Sequence, residues 1–395
     1  MGESYIYKNQ KKLRWGYTTG TCAAAASQAA AVLLLRREGI RQVHLKTPKG
    51  IWLDLEVEDS LEEEEGVSCA IRKDSGDDPD VTNGFLVYSR ISRKQPFGDK
   101  WEEYKSGYYE HKGEGIHLFL KGGVGVGRVT KEGLSCEVGK SAINPVPRQM
   151  IFSQVEEVCR QTCFQGCLWI EISVPEGVEG ASRTFNGKLG IEGGISILGT
   201  SGIVEPMSEA ALLETIRLEL RQKVLEGQRQ VIVTPGNYGQ EFLKSAMGLE
   251  LEQAVKCSNF IGDTIDIAVE EGVLSILLIG HGGKLIKVAA GIMNTHSSVA
   301  DGRMEVLAAY AGVWGCSREV IGRILTSITV DEGLRQLESV EGLREGVMKG
   351  VTESVERHLK GRAGGRLAIE AVIFTNERGL LGMTSGASGM LEQFH

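Results

Sequence analysis

The chain has 395 residues, 42% hydrophobic and 24% charged, an ordinary balance for a soluble globular protein with room for two domains. Its net charge of −8 argues against non-specific nucleic-acid binding. The N-terminus is polar through Lys12 and the apolar run from Cys22 to Leu35 is short of the roughly 20 residues a bilayer span needs, so no signal peptide and no membrane partner are expected. Eight cysteines without disulfide-framework spacing point to a reduced, cytoplasmic setting. The 52 glycines are roughly twice the usual share and fall in short clusters, a pattern of tight turns and close backbone approaches.

In chain order, residues 14–26 read Arg-Trp-Gly-Tyr-Thr-Thr-Gly-Thr-Cys-Ala-Ala-Ala-Ala, a hydroxyl-rich turn entering an alanine-rich helix expected over 22–38. Thr18, Thr19 and Thr21 are placed to cap it, and its free N–H groups form a candidate anion site; an ordinary capped, tightly packed helix is the alternative. Strand-like runs follow at 42–47, 51–57 and 69–73. Asp74, Asp77, Asp78 and Asp80 lack a cation-loop spacing and read as an aspartate-rich turn. Residues 92–115 are a polar and aromatic excursion, 115–120 a strand, 148–163 a helix opened by Pro145 and Pro147, and 168–174 a half-buried strand. Cys159, Cys163 and Cys167 have no fourth ligand nearby and read as small buried residues, so no metal site is expected.

From residue 191 the rhythm becomes strand, glycine loop, helix. Strands at 195–198, 230–233, 254–259 and 275–279 alternate with helices at 208–226, 239–248 and 264–271 and another after 284; 299–360 is mostly helical and 366–374 a last strand. The expected architecture is α/β and α+β: a mixed, glycine-rich domain over 1–190 and a doubly wound Rossmann-like domain over 191–395, with ligands at the carboxyl ends of the strands.

Gly122-Gly-Val-Gly-Val-Gly127 is followed by turn and strand where a dinucleotide fingerprint needs a helix, and reads instead as a flat glycine surface beside Lys121 and Arg128. Gly139-Lys-Ser141 fails the phosphate-loop spacing. A basic strip (Lys121, Arg128, Lys131, Lys140, Arg148) suits a small polyanion. The 199–202 loop is the best cofactor candidate, although the next strand ends in Thr234-Pro-Gly without a ribose-gripping acid. His281 and His296 sit on loops at either end of one helix, within reach of a common cleft.

These segments together resemble the cobalt-precorrin-5B (C1)-methyltransferase family of anaerobic cobalamin biosynthesis. The resemblance rests on residues 16–26, Lys73 to Thr82, 122–130, Ala142-Ile-Asn-Pro-Val-Pro-Arg148, 193–206 with its Gly-Thr-Ser-Gly, Thr234-Pro-Gly-Asn237, Asn259-Phe-Ile-Gly-Asp263 and 280–301. Asn83 departs from the histidine expected after the Asp-Pro-Asp-Val-Thr motif. The resemblance implies S-adenosylmethionine as methyl donor, a tetrapyrrole acceptor carrying the cobalt, and cobalt-precorrin-6A as product. Donor contacts are expected from Gly199, Thr200, Ser201, Gly202, Gly236, Asn237, Gly282 and Gly283. Tetrapyrrole contacts are expected from Arg14, Thr18, Thr19, Thr21, Lys121, Gly123, Gly125, Arg128, Lys140 and Arg148, since charge-assisted bonds to carboxylates are the strong ones. Candidates for managing a proton are His281, His296, Asp263 and Asp301. Homo-oligomers and transient contact with neighbouring corrin-pathway enzymes are compatible with this reading. The residues alone leave a non-catalytic corrinoid carrier and a phosphate-handling enzyme as alternatives.

Overall fold

A computed structural model of the chain describes residues 5–8, 11–236, 254–339 and 341–394, in two compact units, Met1–Ser208 and Glu209–His395. The boundary falls beyond the expected 190/191. Two short pairings explain why: Gly194–Ile195 runs parallel to Gly125–Val126, and Ile203–Val204 runs antiparallel to Gly16–Tyr17, so 191–204 is stitched into the first unit.

The first unit is built on helix α1 (Thr19–Arg36), strands β1 (Gln42–Lys46), β2 (Trp52–Glu63), β3 (Gly66–Arg72), β4 (Leu86–Ser92), β5 (Tyr109–Lys112) and β6 (Ile116–Gly122), helix α2 (Pro145–Gln161) and strand β7 (Gly166–Ser173). The seven strands form one sheet in the order β1-β2-β3-β4-β7-β6-β5, in which only β6 and β7 are parallel neighbours. Ala23 to Ala26 and Ala29 to Ala31 are fully buried, which lets α1 lie close to both α2 and the sheet. Ser27 is buried with them and donates to Ala23 O, with Ser89 Oγ 2.8 Å away. Strand β2 is longer than the expected 51–57 because the acidic patch continues it with exposed residues. Helix α2 ends at Gln161, so Cys163 and Cys167 are exposed and only Cys159 is buried, a correction to the reading of all three as buried.

The aspartate-rich turn is held by protein groups. Asp74 takes both guanidinium nitrogens of Arg14 (2.6 and 2.7 Å), Asp77 accepts from Arg14 N, Asp78 from Met207 N, and Asn83 Oδ1 from Ser75 N. Asp80 pairs with Lys73, whose side chain is 2% exposed. Burial opposes the charge on Asp80, but Lys73 beside it holds the carboxyl below its ordinary range. Such a group stabilises the fold fully above the ordinary carboxylate range and loses that contribution as the pH falls through its folded value. Asp80→Ala strands a buried ammonium and should cost about 3 kcal/mol at neutral pH. The difference in melting temperature between variant and parent should shrink on acidification; a difference that is small at neutral pH would contradict the assignment.

The second unit contains α3 (Glu209–Leu225), β8 (Gln230–Thr234), β9 (Val255–Lys256), α4 (Ile261–Glu270), β10 (Ser275–His281), α5 (Gly282–Val288), α6 (Arg303–Val313), α7 (Leu343–Ala363), β11 (Ala368–Thr375), β12 (Gly379–Met383) and α8 (Ala387–Leu391). The sheet order is β9-β8-β10-β11-β12; the first four strands are parallel and β12, which was not foreseen, turns back antiparallel. Val231, Val233, Ile276 and Leu278 cluster with α7 residues, whereas Ile232, Leu277, Ile279 and Phe374 cluster with Ala387 and Met390 of α8. Both faces of the sheet are therefore apolar, as near-continuous hydrophobic strands require. The helix expected near 239–248 lies outside the described residues. Among the described residues no helix is long and apolar enough to cross a membrane, and no cluster of side chains could hold a metal ion.

Candidate functional site

The N-terminus of α1 is closed by its own chain. Thr18 is the N-cap and accepts from Thr21 N. Gly20 N donates to Leu198 O (2.8 Å), Thr18 N to Gly202 O (3.1 Å) and Thr21 Oγ1 to Gly202 O (2.7 Å), while Leu198 N donates to Thr19 Oγ1. The N–H groups of Thr18, Gly20 and Thr21 are thus engaged, and Thr19 and Thr21 are buried. The same contacts relocate the 199–202 loop: it belongs to the first unit, is followed by the short strand Ile203–Val204 and not directly by a helix, and serves as the lid of α1. Gly199 and Gly202 are there because a Cβ at Gly199 would stand 2.2 Å from Thr18 Oγ1 and one at Gly202 2.8 Å from Thr47 Cβ. Ser201 Oγ donates to Ile203 O, and Thr200 alone of the four is exposed.

The glycine run 122–127 also meets protein. A Cβ at Gly125 (φ +74°) would lie 1.7 Å from Val174 O, and one at Gly123 2.4 Å from Ser173 Oγ. The expected flat surface is packed at these two glycines against the end of β7 and Val174 just beyond it.

The basic residues separate into engaged and convergent groups. Arg14 is tied to Asp74, and Arg128 Nε donates to Gly139 O at 2.8 Å. Burial works against the charge of Lys121, but Glu171 at 2.8 Å holds its ammonium above the ordinary range. Lys140 and Arg148 share the ring of Tyr109, at 5.0 and 4.0 Å from its centroid. Tyr109 donates its hydroxyl to Ser141 O, and burial pushes its phenol pKa up. Arg148 Nε is buried without a hydrogen-bond partner among the described residues, and Arg148 lines a cavity of about 390 Å³ with His111, Pro145, Gln149, Phe152 and Ser153. Tyr109 and His111 were missed because β5 lies inside the excursion that carried no strand period.

In the second unit the carboxyl ends of β8 and β10 stand together. Lys284 donates its ammonium to Pro235 O, at the end of β8, and to Ser258 O (3.1 Å), beyond β9; burial pushes its pKa down. Gly236 lies beside this ammonium, its Cβ position 3.8 Å from Nζ; Asn237 lies outside the described residues. Thr234 is 1% exposed and its hydroxyl has no hydrogen-bond partner among the described residues. His281 caps α5 by accepting the Gly283 N–H at Nδ1 (3.0 Å), with Gly282 buried in the first turn, so the neutral ring carries its proton on Nε2. Burial lowers the His281 pKa and Asp331 partly offsets this. The chain beyond α5 returns to the same loops: Thr295 N donates to Asn259 O, and buried Lys287 donates to Thr295 O and Ala300 O.

The remaining proton candidates are held locally. His296 Nδ1 is 2.6 Å from Ser298 Oγ, and Asp301 takes two bonds from the guanidinium of Arg303, which keeps its carboxyl far below the ordinary range. Asp263 sits in the first turn of α4. His281 faces Asp331 and Phe374, and shares no described partner with His296.

The family model described as CbiD matches residues 6–206, and the one described as CbiD, C-terminal domain, matches residues 294–385. The chain is 46% identical to the cobalt-precorrin-5B C(1)-methyltransferase of Ruminiclostridium cellulolyticum, over 99% of this chain and 98% of that one. It is 45% identical to the protein of the same name from Alkaliphilus metalliredigens, over 99% and 97%. A crystal structure of cobalamin biosynthesis protein (cbiD) from Archaeoglobus fulgidus matches 75% of this chain and 86% of its own, at 27% identity and a TM-score of 0.37.

Proposed function

The chain belongs to the CbiD family, and from that premise we propose that it transfers a methyl group to carbon 1 of cobalt-precorrin-5B, the reaction its curated relatives are named for. The donor in this reading is S-adenosylmethionine, the cobalt enters and leaves as part of the substrate, and the product is cobalt-precorrin-6A.

The observation that carries the donor assignment is the carboxyl edge of the second sheet. Counted by appearance within the unit, the strands run 2-1-3-4-5, so the chain reverses its progress across the sheet at β8. We read this as the doubly wound pattern, in which ligands bind outside the carboxyl ends of the strands at the reversal. That edge carries Thr234 with its unpartnered hydroxyl, Gly236, Gly282 and Gly283, and Lys284 tying the loops. The donor fits there because a buried hydroxyl lacking a protein partner is costly unless a ligand supplies one. S-adenosylmethionine contributes an activated methyl on a sulfonium. The chain's own residues then have to align donor and ring carbon and keep water away, which is where most of the rate acceleration of an in-line displacement arises. Of the four proton candidates, His281 is the one whose ring caps the helix leaving β10: it is half-buried, Nδ1 accepts from Gly283 N, burial lowers its pKa, and the neutral ring keeps its proton on Nε2.

Anaerobic incubation with methyl-labelled S-adenosylmethionine and cobalt-precorrin-5B should add a single label, mapped to carbon 1 by mass spectrometry. Tight binding of the tetrapyrrole with no transfer would return the chain to the carrier reading.

A further inference from the structure

We propose that the cavity at the N-terminal end of α2 is a receptor for one carboxylate arm of the tetrapyrrole, an assignment that rests on the reaction proposed above. Three features converge on it. Arg148 lines the cavity, and its guanidinium lies 4.0 Å over the Tyr109 ring with Nε buried and unpartnered. A guanidinium held against an aromatic ring can still take a carboxylate in the bidentate fashion that favours arginine over lysine.

The helix end adds a second cationic field. Helix α2 has 17 residues and no acidic side chain in its first turn, and its N-cap Asn144 makes no side-chain capping bond. Proline at positions 145 and 147 removes N–H groups from that turn, so the charge preference there comes from the dipole and from Arg148.

His111 also lines the cavity. Its ring stacks on Phe152 at 5.3 Å and its Nε2 is 3.0 Å from Glu156 Oε2. The bare turn at Gly113 leaves room for Glu156, since a Cβ there would lie 2.2 Å from Glu156 Oε1. Glu156 therefore positions His111, and with it the cavity wall. The other nearby cation, Lys140, is 3.1 Å from Glu137 and lies over the same tyrosine ring. The volume of about 390 Å³ suits a short carboxylate arm and not a whole macrocycle, so the ring itself would remain outside.

Steady-state kinetics of the full-length chain under anaerobic conditions test this with two independent changes. Arg148→Ala should raise the KM for cobalt-precorrin-5B roughly tenfold to a hundredfold and leave the KM for S-adenosylmethionine within twofold, with Arg148→Lys recovering part of the loss. Ser153 is exposed on the cavity rim, so Ser153→Asp should raise the tetrapyrrole KM roughly tenfold by repulsion, whereas Ser153→Asn should not. Unchanged tetrapyrrole KM in both Arg148→Ala and Ser153→Asp, or equal increases for both substrates, would overturn the receptor. Failure of the reaction itself is read separately, as absence of transfer by the parent chain; an anaerobic absorbance titration of cobalt-precorrin-5B into parent and Ser153→Asp then still measures the cavity.

Discussion

Replacing Gly199 by valine should unfold the first unit and abolish ligand binding of every kind, instead of weakening the methyl donor alone. The glycine adopts φ +139°, which a β-branched residue does not tolerate, and its Cβ would press on Thr18 Oγ1 at 2.2 Å. Backbone strain of about 1–3 kcal/mol, overpacking of a similar size and a lost N-cap worth about 1 kcal/mol act at one point. Their sum is comparable with the about 5–15 kcal/mol that holds a typical domain together. Gly202→Val acts in the same place at φ +79° against Thr47. Thermal unfolding followed by circular dichroism should show both variants melting far below the parent. A variant with the parent's melting temperature and a selective loss of S-adenosylmethionine affinity would restore the loop to the donor site.

The placement of this loop against α1 marks where sequence reasoning ran out. The alanine pattern of 23–31 and the threonines before it announce a capped, close-packed helix, and the structure has one. What caps it comes from residues 198–202, and Thr21 and Gly202 stand 181 positions apart. No local spacing reports such a partner. The glycine run at 122–127 failed for a related reason: a missing side chain makes room equally for a ligand or for another backbone, and here Val174 fills the space.

In the second unit the alternation of apolar runs and glycine loops was sufficient for a parallel sheet, because β8 and β10 are short, continuous and apolar. The antiparallel β12 escaped because its burial pattern has no clean alternation. Among site residues, Arg148 was legible as charge beside a proline turn. Tyr109 and His111, which complete its surroundings, sit on a four-residue strand that becomes a strand only by pairing with β6.

At the carboxyl edge of the second sheet, two neighbouring substitutions should move stability in opposite directions while both impair catalysis. Thr234 is buried with no partner for its hydroxyl among the described residues, so Thr234→Val removes an unsatisfied group and should stabilise the free protein by about 1 kcal/mol, a rise in melting temperature of about 2–4 °C. If the donor supplies the missing partner, the same change raises the KM for S-adenosylmethionine roughly tenfold. Lys284→Met should do the reverse to stability, because Pro235 O and Ser258 O both lose their donor and the loops after β8 and β9 come apart. Loss of that alignment should lower kcat/KM about a hundredfold, since small misplacements of reacting groups are costly. Calorimetry and steady-state kinetics on the same two preparations decide the matter: a Thr234→Val chain that is more stable and binds the donor as well as the parent would remove the hydroxyl from the donor site and, with it, the main reason for placing the donor at this edge.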